Sequence, residues 1–337
     1  MEKNNPVILA IETSCDETAA AVICNGKIVS NLVATQAVHT QYGGVVPELA
    51  SRAHQQHIIP VVEQALQQAA ITPAELDAVA FTQGPGLLGA LLIGASFAKS
   101  MAFALNIPLI AVHHMRAHIL ANFIEEPAPT FPFLCLTVSG GHTQLVLVKA
   151  PLEMEVIGTT QDDAVGEAFD KIGKLMGLPY PAGPLIDQYA QNGDPQRFPF
   201  PATSMPQLDF SFSGIKTAFL YFMRKNQEKD ANFVAKHRAD ICASIQSTLV
   251  DMLVEKLKKA VNQTGVQSIA LAGGVAANSG LRKRLQHLAI QEAWQLSIPK
   301  LAYCTDNAAM VAMTAHYQYL ARECSDLSVM AKPRMPL

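Results

Sequence analysis

No C-x-x-C pair occurs in this 337-residue chain, and its six cysteines, Cys15, Cys24, Cys135, Cys242, Cys304 and Cys324, are widely scattered. Neither a zinc knuckle nor a disulfide framework is indicated, and a reducing cytoplasm fits best. Charge is sparse and nearly balanced, with 16% charged residues and a net charge of -3. The chain therefore lacks a global basic footprint for nucleic acid, although a local cluster of Lys and Arg stays open. Long apolar runs are also missing. The most hydrophobic stretch, residues 87–98, is followed at once by Lys99, short of the roughly 18 residues a spanning helix needs. Residues 7–11 are too few for a signal-peptide core and end in Glu12. A cytoplasmic protein with no membrane contact is expected. Half of the residues are hydrophobic, and the length suits two domains that each bury a core.

The densest chemistry lies at Val112-His113-His114-Met115-Arg116-Ala117-His118, with three imidazoles within six residues. On a helix, His114 and His118 lie one turn apart on the same face, the usual way a helix offers two nitrogen ligands to one ion. His113 points elsewhere, and a pair of surface histidines would satisfy the same spacing. A zinc protease of the H-E-x-x-H type is excluded, because Met115 stands where the general-base Glu belongs. Two histidines leave an ion in need of at least one more protein ligand. Asp306, ahead of the last long helix, is the candidate carboxylate, although by spacing alone it is an N-cap.

Residues 7–11 and 18–23 predict strands around Glu12-Thr13-Ser14-Cys15-Asp16-Glu17, a polar turn able to hold phosphate through amides and hydroxyls or a cation through its acids. Residues 133–138 and 145–148 repeat the pattern around Ser139-Gly140-Gly141-His142-Thr143, where the glycines let main-chain amides approach an oxygen. Two such hairpins suggest a duplicated fold whose polar turns face one another across a cleft. Glu125-Glu126-Pro127-Ala128-Pro129 is the first break in composition, and a domain boundary is expected there.

Gly84-Pro85-Gly86-Leu87-Leu88-Gly89 is formally a dinucleotide fingerprint after a strand at 77–82, but the next strand, 108–112, runs into the histidines instead of a ribose-binding acid. Gly86, Gly89, Ala90 and Gly94 instead read as a tight turn and a small-residue helix face, open to another element of this chain or of a partner. Residues 49–68 form a helix whose His54 and His57 are given no role. In the helix after Asp163, the pairs Glu167–Lys171 and Asp170–Lys174 read as surface i,i+4 pairs. Tyr180-Pro181-Ala182-Gly183-Pro184 makes a rigid loop, residues 193–212 are irregular, and Glu255-Lys256-Leu257-Lys258-Lys259 reads as a solvated face, with phosphate contact as the lesser alternative. A strand at 268–272, Gly273-Gly274 and a helix start near Asn278 suit the base and ribose end of a nucleotide site. Arg282-Lys283-Arg284 is the best local candidate for an RNA backbone, a plain helix surface being the commoner meaning.

Taken together, Ile11 to Thr18, Gly43-Gly44-Val45-Val46-Pro47-Glu48, His113-His114-Met115, Ser139 to Thr143, Ala272-Gly273-Gly274-Val275 and Thr305-Asp306-Asn307 resemble the universal tRNA threonylcarbamoyladenosine transferase family, formerly called O-sialoglycoprotein endopeptidase. The resemblance runs in register from about Val7 onward. It implies the duplicated α/β fold of actin, hexokinase and Hsp70 (the ASKHA fold), two domains around a nucleotide-binding cleft. Residues 1–129 with 305–337 would form the domain that carries the metal helix, and 130–304 the domain with the nucleotide loops. The implied metal ligands are His114, His118 and Asp306, for one divalent ion per subunit, iron(II) favoured and zinc second. The implied substrate-binding residues are Thr137, Val138, Ser139, Gly140, Gly141, Asp170, Gly183, Asp187 and Asn278. Ala182 stands where many members of the family have a glycine.

The implied reaction moves a threonylcarbamoyl group from threonylcarbamoyl-AMP to the N6 amine of the adenosine beside the anticodon, in tRNAs that read codons starting with A. Glu12, Asp16 or His142 would help that amine lose a proton. The implied partners are tRNA, a shorter paralogue of the same fold and a small P-loop ATPase, with residues 86–94 as the candidate paralogue contact. Two other classes share the fold. A phosphotransferase or ATPase would not need the two histidines, and a non-catalytic subunit would be expected to lack the ligands.

Overall fold

The computed structural model describes residues 5–36, 39, 42–202 and 205–337. The chain divides into two compact units, Met1–Ala128 with Ala150–Met154 and Pro299–Leu337, and Pro129–Lys149 with Glu155–Ile298.

In unit 1, β1 (Val7–Glu12), β2 (Thr18–Cys24), β3 (Lys27–Ala34), β4 (Ala78–Gly84) and β5 (Leu109–His113) form a sheet in the order β3-β2-β1-β4-β5. β1 and β3 run antiparallel to β2, whereas β4 and β5 run parallel to β1. Both faces are covered, which is why the central strands read as unbroken apolar runs. Leu9, Ile11, Val79 and Phe81 pack with Ile58 and Val62 of α1 (Pro47–Ala69) and with Ala95 and Ala98 of α2 (Leu88–Leu105). Ile8, Ala10, Ala78 and Ala80 pack on the other side with Ala117 and Leu120 of α3 (His114–Leu120) and with Ala308 and Val311 at the last long helix. The period of two then places chemistry. Glu12 continues the Ile8 and Ala10 side, and Thr82 continues the Ala78 and Ala80 side. Both polar groups thus emerge toward α3 at the carboxyl ends of parallel strands.

The helix α2 runs on through Lys99 for 18 residues, longer than the apolar stretch suggested. By length and composition it could cross a membrane, a test that core helices also pass. Ala90, Leu91, Gly94, Ala95, Ala98 and Ala102 are buried within unit 1. A Cβ added to Gly86 would collide with Ser14, one on Gly89 with Ser51 and one on Gly94 with Thr13. The element that approaches the small-residue face is therefore the chain's own first turn and α1. Gly89 itself stays exposed, and the exposed large apolar side chains of α2 are Leu88, Leu92 and Phe103, the first two of them inside the 86–94 stretch.

A second sheet, carried almost wholly by unit 2, repeats the topology. Its strands β6 (Phe133–Val138), β7 (Thr143–Ala150), β8 (Glu153–Thr159), β9 (Ser268–Ala272) and β10 (Gln295–Ser297) take the order β10-β9-β6-β7-β8. Set β6 to β10 against β1 to β5 and the neighbour relations are the same, with β6 antiparallel to β7 and parallel to β9. The helices of this unit are α4 (Val165–Leu175), α5 (Gly183–Ala190), α6 (Ser213–Gln227), α7 (Phe233–Thr264) and α8 (Ser279–Gln291), and α9 (Ala308–Leu320) belongs to unit 1. Strands β3, β8 and β10 and helices α5 and α6 go beyond the sequence reading. β10 has three residues, β3 and β8 are partly exposed, and α5 hides behind a Gly-Pro start that suits a first helical turn. Lys256 is not on a solvated face. It is buried and donates to the Met205 and Gln207 carbonyls at 2.6 and 2.8 Å, holding part of the irregular 193–212 stretch.

Candidate metal centre and ligand loops

His113 closes β5 and acts as the N-cap of α3, its Nδ1 accepting from the Met115 amide at 3.1 Å. The helix then presents His114 and His118 with ring centroids 4.7 Å apart. Asn307, not Asp306, caps α9, its side chain accepting from Met310 N at 3.1 Å. That leaves the Asp306 carboxylate to the histidines. Its Oδ1 lies 3.1 Å from His118 Nε2 and 3.5 Å from His114 Nε2. The three groups each bring one donor atom within 4.8 Å of the others, a spacing that could hold a metal ion.

The tautomers favour the same face. Glu12 is fully buried, and its Oε2 lies 3.1 Å from His114 Nδ1 and accepts from Thr82 Oγ1 at 2.7 Å, while Oε1 accepts from the Ser14 amide. A carboxylate on Nδ1 puts that hydrogen toward Glu12 and leaves Nε2 as the ligand atom, the usual support of a ligating histidine. His118 Nδ1 is buried with no hydrogen-bond partner among the described residues, so packing and the Asp306 contact at Nε2 orient that ring. Burial disfavours charge on His114, yet the Asp306 and Glu12 carboxylates outweigh it and hold the imidazole well above its usual range. Burial likewise works to raise Asp306 and Glu12, and the His114 charge and hydrogen bond carry both below their usual range. Without an ion these carboxylates favour the protonated form of His114. An ion bound there would have to displace that proton, so zinc affinity is expected to rise with pH and binding to release protons. Calorimetry in buffers of different ionisation enthalpy checks this, and binding without proton release would contradict it.

The first polar turn sits beside this group. Its Asp16 and Glu17 are half-buried. Burial, then the charges of Asp306 and Asp16, push Glu17 up to about 9. His54, to which the sequence assigned no role, is buried on α1, its Nδ1 2.8 Å from Thr18 Oγ1 and its Nε2 2.9 Å from the Cys15 carbonyl. A signal did exist. His54 falls in step with Ala50, Ile58, Val61 and Val62 on the buried stripe of α1, where an imidazole needs partners.

In unit 2, Thr137 and Val138 end β6 fully buried. The turn that follows is closed by Ser139 N donating to His142 O at 2.8 Å and His142 N donating to Ser139 Oγ at 3.0 Å. A Cβ at Gly140 or Gly141 would meet nothing within 4 Å, leaving room against the main chain. Gly166 of α4 is a residue that sequence reasoning missed, since a Cβ there would press on Ser139 O and Gly140. Among the described residues Asp170 pairs with no lysine. It accepts from the Ala182 and Gly183 amides at 2.8 and 3.3 Å, while Lys171 pairs with Asp163 at 2.7 Å and with Glu167 at 2.8 Å. Burial raises the Asp170 pKa against those two hydrogen bonds. The Ala182 methyl is buried in the space that Gly173 leaves, so the departure from glycine is accommodated locally. Asp187 of α5 accepts from Ser279 N and Oγ at 3.0 and 2.8 Å. Asn278 caps α8 through Leu281 N and donates to Gln246 Oε1 at 2.8 Å. The basic triplet is dispersed: Arg282 donates to Ala276 O and Arg284 faces Asp251 at 3.4 Å.

The family model for tRNA N6-adenosine threonylcarbamoyltransferase matches residues 27–313. The chain belongs to this family. Curated relatives agree over almost the whole length. A tRNA N6-adenosine threonylcarbamoyltransferase of Cytophaga hutchinsonii is 61% identical over 328 residues, covering 97% of this chain and 96% of that one. One from Christiangramia forsetii is 59% identical over 330 residues, covering 97% of each. Among solved structures, full-length HypF in its phosphate- and nucleotide-bound form superposes with a TM-score of 0.65 at 13% identity, over 94% of this chain and 47% of that one. Component A of (R)-2-hydroxyglutaryl-CoA dehydratase from Acidaminococcus fermentans gives 0.54 at 13% identity, over 94% and 99%. Those likenesses concern the fold, which is the duplicated ASKHA type.

Proposed function

We propose that this member of the threonylcarbamoyltransferase family transfers the threonylcarbamoyl group from threonylcarbamoyl-AMP to the N6 amine of the adenosine beside the anticodon in tRNAs that read codons starting with A. The observation that carries the metal part of this reading is the convergence of His114 Nε2, His118 Nε2 and Asp306 Oδ1 in a chain of this family. Two imidazoles and a carboxylate suit iron(II) or zinc alike, and the family resemblance favours iron(II). When bound, such an ion supplies positive charge to oxygens that become more negative during acyl transfer.

In balance, the N6 nitrogen bonds to the carbamoyl carbon, the bond from that carbon to the phosphate oxygen breaks, AMP leaves, and the amine gives up one proton. The proposed tasks of this chain's residues follow from where they stand. Glu12, enclosed and fully hydrogen-bonded, orients His114. Asp16 and His142, both partly exposed, remain the candidates to take the proton. Thr137, Val138, Ser139, Gly140 and Gly141 would lie along the adenylate, with Asp170, Gly183, Asp187 and Asn278 shaping the neighbouring loops. Gly166→Val is expected to push the 139–141 turn outward and weaken AMP binding at least about tenfold, the loss of one well-placed contact of about 1.4 kcal/mol. An AMP titration with unchanged affinity would argue against that turn as the nucleotide contact.

The reaction as proposed also takes in tRNA, a shorter paralogue and a small P-loop ATPase, in the cytoplasm. Mass spectrometry of nucleosides from tRNA incubated with the protein, these partners and threonylcarbamoyl-AMP tests the proposal. Threonylcarbamoyladenosine in the product supports it. Its absence, alongside ATP turnover by this chain alone, would favour the phosphotransferase alternative.

A further inference from the structure

Segment 330–336 runs beside the ends of β4 and β5 and is tied there at several points. Gln83 Nε2 donates to Met330 O at 2.9 Å, Lys332 N to Gln83 O at 2.8 Å, and Gly86 N to Pro333 O at 3.2 Å. The approach is so close that a Cβ on Gly84 would overlap the Lys332 carbonyl. The segment then reaches His113, whose Nε2 lies 3.2 Å from Met335 O and 3.1 Å from Pro336 O. His113 Nδ1 is already the acceptor for Met115 N, so the ring hydrogen is on Nε2 and is donated to the segment. One buried imidazole thus joins two things, the first turn of the metal helix and the main chain of segment 330–336.

We infer that segment 330–336 is a strap that sets the position of α3, with His113 as the positioning residue that couples it to His114 and His118. The inference rests on the metal reading given above. Its physical basis is the shortness of α3. Seven residues have no helical stability of their own, and the free amides of the first turn need an external partner. Packing of Ala117 and Leu120 fixes the back of the helix, and His113 fixes its start. A second link runs the same way. Gly86, held by Pro333, lies against Ser14, whose hydroxyl is 3.3 Å from His114 Nδ1. Ligands held to a few tenths of an ångström need such outer support, and losing it typically weakens metal binding 10- to 100-fold.

Three variants separate the strap from the ligands. Deletion of residues 333–337 removes the carbonyls that His113 reaches. His113→Asn keeps an N-cap acceptor for Met115 N but is too short to span to the strap. Gly84→Ala displaces the strap while keeping the His113 side chain, Gly84 being the β4 partner of His113. Zinc affinity, measured by competition with a chromophoric chelator, is expected to fall about 10- to 100-fold in the deletion and in His113→Asn. The double variant should be no weaker than the poorer single one, because both break one link. Affinities within about threefold of wild type in both single variants would overturn the inference. If the deletion does not fold, His113→Asn and Gly84→Ala decide by the same criterion. Should the wild type bind no zinc, the metal reading fails, and amide exchange at Met115 decides the strap by itself. Faster exchange in Gly84→Ala supports the strap, and unchanged exchange sinks it.

Discussion

His118→Ala is expected to lower metal affinity and threonylcarbamoyl transfer by at least about a thousandfold, equivalent to about 4 kcal/mol. His118 offers Nε2 to the same Asp306 oxygen that His114 faces, and losing one of three protein ligands leaves an ion with too few donors. The fold should tolerate the change better than the site does. Its other ring nitrogen has no hydrogen-bond partner, so removing the ring strands none there, and the cavity cost is about 2 kcal/mol. Metal content and transfer activity should collapse together while the melting temperature of the metal-free protein drops modestly. A variant that keeps its metal and loses only stability would show that His118 is a packing residue.

Glu12→Ala is expected to be the most damaging change outside the three ligands. It strands three donors at once in a closed environment: the Ser14 amide, the Thr82 hydroxyl and His114 Nδ1. Each unsatisfied donor costs about 1–3 kcal/mol, partly offset because a buried charge is also removed. A net loss of about 3–5 kcal/mol in stability is the expected sum, with metal binding weakened about 10- to 100-fold. Glu12→Gln decides what the residue does. If Glu12 orients His114, the Gln variant weakens metal binding, because an amide cannot serve His114, Thr82 and Ser14 together as acceptor. Unaltered metal affinity with lost turnover would instead make Glu12 the group that takes the amine proton. Chemical denaturation and zinc competition on the same samples give both numbers.

Much of unit 1 was legible because a two-sided sheet leaves a plain trace. The apolar runs at β1, β4 and β5 are buried on both faces, and the spacing of His114 and His118 already put them on one side of a helix. The remaining ligand could not be derived that way. Asp306 lies 188 residues from His118, and spacing alone makes it a helix cap; that role falls to Asn307, one position on. The fate of Asp170 was hidden for a similar reason. Its helix neighbours allow a surface pair with Lys174, whereas its partners are amides of a loop 12 and 13 residues away. The small residues of α2 announced a close approach without naming the visitor, and Thr13, Ser14 and Ser51 of the same chain supply it. Lys256 shows the commonest gap. A charged residue in a run of charges on a helix does not reveal whether it faces solvent or a carbonyl that needs a donor.

The most direct measurement is transfer of labelled threonylcarbamoyl from its adenylate to tRNA, with the paralogue and ATPase supplied, by protein stripped of metal and then reloaded with iron(II) or zinc. The expected result is product from the reloaded wild type, none from the stripped protein, and none from His114→Ala under either condition. Equal product from stripped wild type and from His114→Ala would contradict a reaction centred on His114, His118 and Asp306.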